Sequence, residues 1–127
     1  LAFMQFINYL CKMKVREVIA YKRYFIDFMS SLPQKMQDKV AKSITYIETV
    51  HNVPSTYLKH IEGTKGLFEL RARLSKDIVR VFCFFDEGRL VVLLSGFVKK
   101  TQKTPKDEIE KALRLMEEYY IEKTAGK

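Results

Sequence analysis

The sequence predicts a single α+β domain with elements in the order β-α-α-β-β-β-α, and three patterns carry that prediction. Residues 66–100 read as three consecutive strands, because apolar and polar residues alternate there or apolar runs sit between turn signals. Residues 24–50 repeat apolar side chains at three- and four-residue steps, the period of an amphipathic helix. The same spacing returns after Pro105, with neither an internal repeat nor a low-complexity linker in between. At 127 residues, 47% hydrophobic and 13% aromatic, the chain has enough apolar surface for one core and too little length for two ordinary domains.

Taken in order, Val15, Glu17, Ile19 and Tyr21 alternate with Arg16, Val18 and Ala20, which predicts an opening strand over residues 15–21 that joins the later sheet through a long helical connection. Tyr24, Phe25, Phe28, Met29 and Leu32 form the stripe of a first helix, broken at Ser31-Leu32-Pro33. Met36, Val40, Ile44, Ile47 and Val50 form the stripe of a second. Residues 52–65 contain Pro54 and Gly63 and are expected to be a loop with one helical turn around Tyr57 to Ile61. Phe68, Leu70, Ala72 and Leu74 then alternate with Glu69, Arg71, Arg73 and Ser75, the signature of a half-buried strand with a mostly arginine outer face. After a polar turn at Lys76 and Asp77, Ile78 to Phe85 holds Arg80 as the one charge among seven apolar residues. Asp86-Glu87-Gly88 supplies a hairpin turn. Leu90 to Leu94 is an unbroken apolar run, expected for a central strand covered on both faces. Pro105 opens the last helix, with Asp107, Glu108 and Glu110 complementing its N-terminal dipole and Ile109, Leu113, Met116 and Tyr120 as its apolar stripe.

The net charge of +8 is uneven, because residues 59–106 carry 11 Lys and Arg against 5 Asp and Glu. That excess favours nucleic acid or an acidic partner. No apolar run approaches the roughly 20 residues that span a bilayer. Cys11 and Cys83 are too few for a disulfide framework, so the expected location is cytoplasmic. His51, His60 and the two cysteines show no metal-ligand spacing, and neither a metal nor another cofactor is expected. Residues 1–12 are mostly apolar without a basic leader or a small-residue cleavage site. They are read as an N-terminal extension outside the chemistry, with Met13 as a natural start and residues 13–127 as the domain.

Cations fixed on a rigid sheet point to a phosphate partner, and Arg71, Arg73, Arg80, Lys99 and Lys100 are the residues concerned. Each has a structural alternative. Arg71 and Arg73 can line a solvated face, Arg80 can form a buried ion pair with Glu69 across the hairpin, and Lys99 and Lys100 can begin a solvated loop. His60 reads first as a surface histidine, and Phe82, Phe84, Phe85 and Phe97 read first as core.

Four segments, Leu58-Lys59-His60-Ile61-Glu62-Gly63, Gly66-Leu67-Phe68-Glu69-Leu70-Arg71, Arg80-Val81 and Ser95-Gly96-Phe97-Val98-Lys99-Lys100-Thr101, together resemble a RelE/HigB-type toxin of a type II toxin–antitoxin system, in the phage Gp49-like branch of the RelE/ParE superfamily. The resemblance covers about residues 14–121. It implies a RelE-like antiparallel sheet with two N-terminal helices on one face and a C-terminal helix. It also implies a cytoplasmic, ribosome-dependent mRNA endonuclease held in check by a cognate antitoxin, expected to be of helix-turn-helix type. By match to that family, Arg71, Arg80, Lys99 and Lys100 are the expected catalytic cations. Lys59, His60, Lys65, Arg73, Lys76 and Lys103, nearby in the sequence, are the expected RNA contacts. Glu69 and His60 are the candidate bases. The chain departs from many relatives in having Ser95 where they place a histidine, and Phe97, Tyr119 and Tyr120 give no clear match to their base-stacking tyrosine. Two other functions fit the same fold: a gyrase-binding, ParE-like toxin, and an RNA-binding accessory protein that does not cut.

Overall fold

Residues 2–5, 14–99 and 104–126 are described by the structure, a computed structural model. Strands β1 (Glu17–Ala20), β2 (Leu58–His60), β3 (Phe68–Leu74), β4 (Asp77–Asp86) and β5 (Leu90–Lys99) accompany helices α1 (Tyr24–Ser30), α2 (Gln34–Thr49) and α3 (Lys106–Ala125). The strands form one sheet in the order β1-β5-β4-β3-β2. All neighbours are antiparallel except β1 and β5, which run parallel because α1 and α2 carry the chain back across the sheet. Residues 2–5 are helical and exposed, and the expected boundary at Met13 lies outside the described residues.

One expectation needs correction. The segment expected as a loop with a helical turn instead contributes β2, with Leu58 paired to Leu70 and His60 to Phe68. Three residues are too few to show a period, so pairing with the edge of β3 decides their conformation. The last strand of the meander is interior as expected, flanked by β1 and β4 and buried along its apolar run from Val91 to Ser95.

The pleat divides the core into two halves. Met36, Val40 and Ile47 of α2 pack with Leu70, Ala72, Val79, Val81, Cys83, Val91 and Leu93 on one face. Ala112 and Leu115 of α3 pack with Phe82, Phe84, Val92 and Leu94 on the other. The expected α3 stripe is turned slightly, since Ala112 and Leu115 are its buried residues while Tyr120 is 37% exposed.

A bulge between β4 and β5 sets which side chains share a face. Val81 pairs with Gly96 and Cys83 with Leu93, so two steps along β4 face three along β5. The extra residue shifts the alternation of β5, and Phe97 and Lys99 emerge on the same face as Leu94. Gly96 lies beside α1 at the bulge, where a Cβ would sit 2.4 Å from Phe28 Cδ2.

Polar anchors hold α3 over the hairpin end of the sheet. Buried Asp86 accepts hydrogen bonds from Tyr119 Oη at 2.7 Å and Lys123 Nζ at 2.8 Å. Tyr21 Oη donates to Glu122 at 2.7 Å and Glu118 at 3.0 Å, and Lys22 pairs with both carboxylates. Burial first, then these two carboxylates, pushes the Tyr21 hydroxyl up. Across the molecule, Arg16 Nη1 donates to the carbonyls of Ile47 and Val50 and Nη2 to that of His51, satisfying the open end of α2.

Candidate functional site

Because paired residues of neighbouring strands project to the same side, the register of the sheet builds the site directly. One row runs from Arg71 on β3 through Arg80 on β4 to Phe97 on β5, and the next from Arg73 through Ile78 to Lys99. Lys59 and Glu69 form a further pair on this face. The α3 helix covers the hairpin end, and Thr104, just ahead of it, donates from Oγ1 to Glu69 Oε2 at 3.3 Å. The cationic rows lie beyond that point.

At the centre, Glu69 is 3% exposed and Arg80 is 7% exposed. Arg71 Nε donates to Glu69 Oε1 at 3.1 Å, and Arg80 Nε is 3.5 Å from the same oxygen. That second distance is an ion pair rather than a hydrogen bond, and among the described residues buried Arg80 Nε has no acceptor. Arg71 and Arg80 are directly opposed like charges, an arrangement that costs a sheet energy unless an anion joins it. Burial lowers the Arg80 pKa from the usual arginine value, with Arg71 and Arg73 adding to the effect and Glu69 opposing it. Burial likewise lowers Lys99, aided by Arg80, Arg71 and Lys59. An anion placed here would relieve both groups.

The sheet therefore brings together Arg71, Arg73, Arg80, Lys99, Lys59 and Glu69. It does not bring in His60, which pairs with Phe68 on the opposite face, packs edge-on against that ring at 5.2 Å and has Nε2 3.1 Å from the Thr64 carbonyl oxygen. Lys65 is exposed in the loop before β3, and Lys76 is exposed in the turn after it. Lys100 and Lys103 lie outside the described residues. Phe97, half-buried opposite Arg80, stacks on Phe82 with centroids 5.6 Å apart and planes at 25°.

Sequence reasoning missed a second component. A cavity of about 620 Å³ lies where β3 runs on beyond the end of β2, lined by Lys39, Lys42, Ser43 and Tyr46 of α2, by Thr56 and Tyr57, and by Arg71, Arg73 and Arg80. Residues 39, 42, 43 and 46 are spaced to share one helical stripe, a signal present in the sequence but flanking the stronger apolar stripe of α2. Among the described residues no group of three or more His, Cys, Asp or Glu could hold a metal, and no helix is long and apolar enough to cross a membrane.

The family described as "Phage derived protein Gp49-like (DUF891)" matches residues 27–117 of the chain. Among solved structures, the chain is similar to one in the "Crystal structure of archaeal RelE-RelB complex from Pyrococcus horikoshii OT3", with 20% identity, a TM-score of 0.46, and coverage of 65% of this chain and 92% of that one. None of the curated proteins matches.

Proposed function

The chain belongs to the phage-derived Gp49-like family, and from that premise we propose that it is the toxin of a toxin–antitoxin pair and acts as a ribosome-dependent mRNA endonuclease. The observation that carries this reading is the opposition of Arg71 to Arg80 around one buried carboxylate, with the buried Arg80 Nε left without an acceptor among the described residues. Attack of an RNA 2′-hydroxyl on the adjacent phosphorus forms the 2′-oxygen–phosphorus bond, breaks the bond to the 5′-oxygen and adds negative charge to the phosphate oxygens, while the hydroxyl proton passes to solvent water. Guanidinium groups already fixed in place stabilise that charge without reorganising. In this mechanism Arg71 and Arg80 bind the non-bridging oxygens, and Arg73 holds the neighbouring backbone phosphate. Lys99, whose proton is loosened by burial and neighbouring cations, protonates the departing 5′-oxygen. The products are a 2′,3′-cyclic phosphate and a 5′-hydroxyl. Glu69 is assigned to positioning, because its carboxylate is buried and held by Arg71, Arg80 and Thr104. An antitoxin, proposed to be of helix-turn-helix type, neutralises the protein by covering this basic face or displacing α3.

Primer extension on translated mRNA after induction tests the proposal. Codon-phased cuts are expected, reduced about 10²- to 10³-fold by Arg71→Ala or Arg80→Ala with the fold retained. Undiminished cutting in both variants would place the site elsewhere. Loss of DNA supercoiling without cuts would replace the nuclease reading with a gyrase-binding one, and neither effect would leave an RNA-binding accessory protein.

A further inference from the structure

We propose that the cavity at the uncovered edge of β3 is a second RNA subsite, which receives the single strand as it leaves the Arg71/Arg80 centre and turns around the sheet edge toward α2. This inference rests on the RNA reading of the cationic face. Three observations support it. The cavity is continuous with the proposed centre, since Arg71, Arg73 and Arg80 line it on one side and Lys39 and Lys42 on the other. Its cations therefore follow the edge as a track rather than a point, as a phosphodiester backbone requires. Between them sit Tyr46 and Tyr57, with ring centroids 4.9 Å apart, and Tyr57 is 43% exposed. A ring held open beside a cationic groove offers a stacking surface that any base fits.

Tyr57 is also placed firmly. Its carbonyl accepts the backbone N–H of Arg71 at 2.8 Å, so one peptide group ties the stacking ring to the strand that bears the phosphate-binding arginine. Lys39 and Lys42 are exposed on α2, and Ser43, next after Lys42, donates to the Lys39 carbonyl at 3.1 Å. Both lysines are therefore set by the helix and open to solvent. A single strand of several nucleotides meets this chemistry better than an acidic peptide, for which the exposed tyrosine has no purpose.

The test is equilibrium binding of the full chain, by fluorescence anisotropy, to 2′-O-methyl RNA of three and twelve nucleotides, which cannot be cut by 2′-hydroxyl attack. Wild type should bind the longer strand more tightly. Lys39→Gln with Lys42→Gln should leave the three-nucleotide affinity unchanged and flatten the salt dependence of the longer strand by about 1.4 in the log–log slope, two single-strand phosphate contacts. Tyr57→Ala should weaken the longer strand about 5- to 100-fold with the slope retained, and Tyr57→Phe should behave as wild type. Arg80→Ala should weaken both lengths, which reports on the centre itself. Groove variants that bind the long strand as wild type overturn the inference while leaving the centre intact. Failure of wild type to bind either length removes the RNA reading and the inference together. A twelve-residue oligoglutamate that binds as tightly as the long RNA, with Tyr57→Ala harmless, assigns the groove to a peptide instead.

Discussion

Replacing Arg80 with methionine should separate stability from activity. Arg80 Nε lies 3.5 Å from Glu69 Oε1, an attraction of about 4–5 kcal/mol at an effective dielectric of about 20. Against this stand the loss of water around a guanidinium that is 7% exposed, a cost of several kcal/mol per ion, and repulsion from Arg71 and Arg73. The lowered Arg80 pKa gives the sign: the surroundings on balance disfavour the charge. Glu69 keeps Arg71 at 3.1 Å and Thr104 at 3.3 Å after the substitution, so no buried charge is stranded. Arg80→Met should therefore unfold within about 1 kcal/mol of wild type, because an apolar side chain of similar length fills the site. Glu69→Gln leaves the guanidinium groups without their counter-charge and should cost about 3–5 kcal/mol. In a domain of this size that corresponds to a Tm lower by about 12–20 °C. Guanidinium and thermal denaturation followed by circular dichroism measure both, and mRNA cleavage should fall about 10²- to 10³-fold in Arg80→Met. A strongly destabilised Arg80→Met beside an unaffected Glu69→Gln would refute the argument, since the arginine would then be a stabilising strut rather than a charge held for a ligand.

Gly96→Ala should cost about 1–3 kcal/mol in denaturant titrations, because the new methyl would meet Phe28 Cδ2 at 2.4 Å and the Arg80 carbonyl oxygen at 3.1 Å. A simultaneous Phe28→Leu should recover part of that loss, and no recovery would show that the Phe28 contact is not the cause. If Lys99 acts as the protonated donor, cleavage should fall with rising pH below the ordinary lysine value of 10.5, since burial and then Arg80 lower its pKa. Lys99→Arg should carry activity to higher pH, and an unchanged profile would remove Lys99 from proton transfer. Burial pushes the Cys83 thiol up to about 12, whereas an unfolded thiol titrates near 9. The folded state is thus favoured fully below pH 9, and this contribution drains away from pH 9 to 12 at up to about 1.4 kcal/mol per pH unit. Urea titrations at pH 8 and 10 should show a smaller alkaline loss in Cys83→Ala, and equal losses would rule the thiol out as the source.

The family expected from the motifs, the Gp49-like branch, is the family that matches residues 27–117, so the chain's resemblance was legible before any coordinates. Local chemistry fixed that much. Alternation along Phe68 to Leu74 put Arg71 and Arg73 on one face with Glu69, and the break at Pro33 separated α1 from α2. A period of two or of 3.6 is written residue by residue, and burial of one face enforces it. Strand β2 left no such trace, because three residues take their conformation from the strand they pair with.

The site required the tertiary structure at two points. Counting alternate residues from Leu94 would send Lys99 to the face packed by α2, opposite Arg80. The bulge facing Phe82 adds one residue to β5, reverses the alternation and returns Lys99 to the cationic side. Pairing also decided that His60 lies on the far face with Phe68 and that Lys39, Lys42, Tyr46 and Tyr57 border the arginines. A sequence dictates which way a side chain points relative to its own neighbours. Which side chains meet depends on register between segments far apart in the chain, and that is set by the energy of packing the whole sheet between its two helical layers.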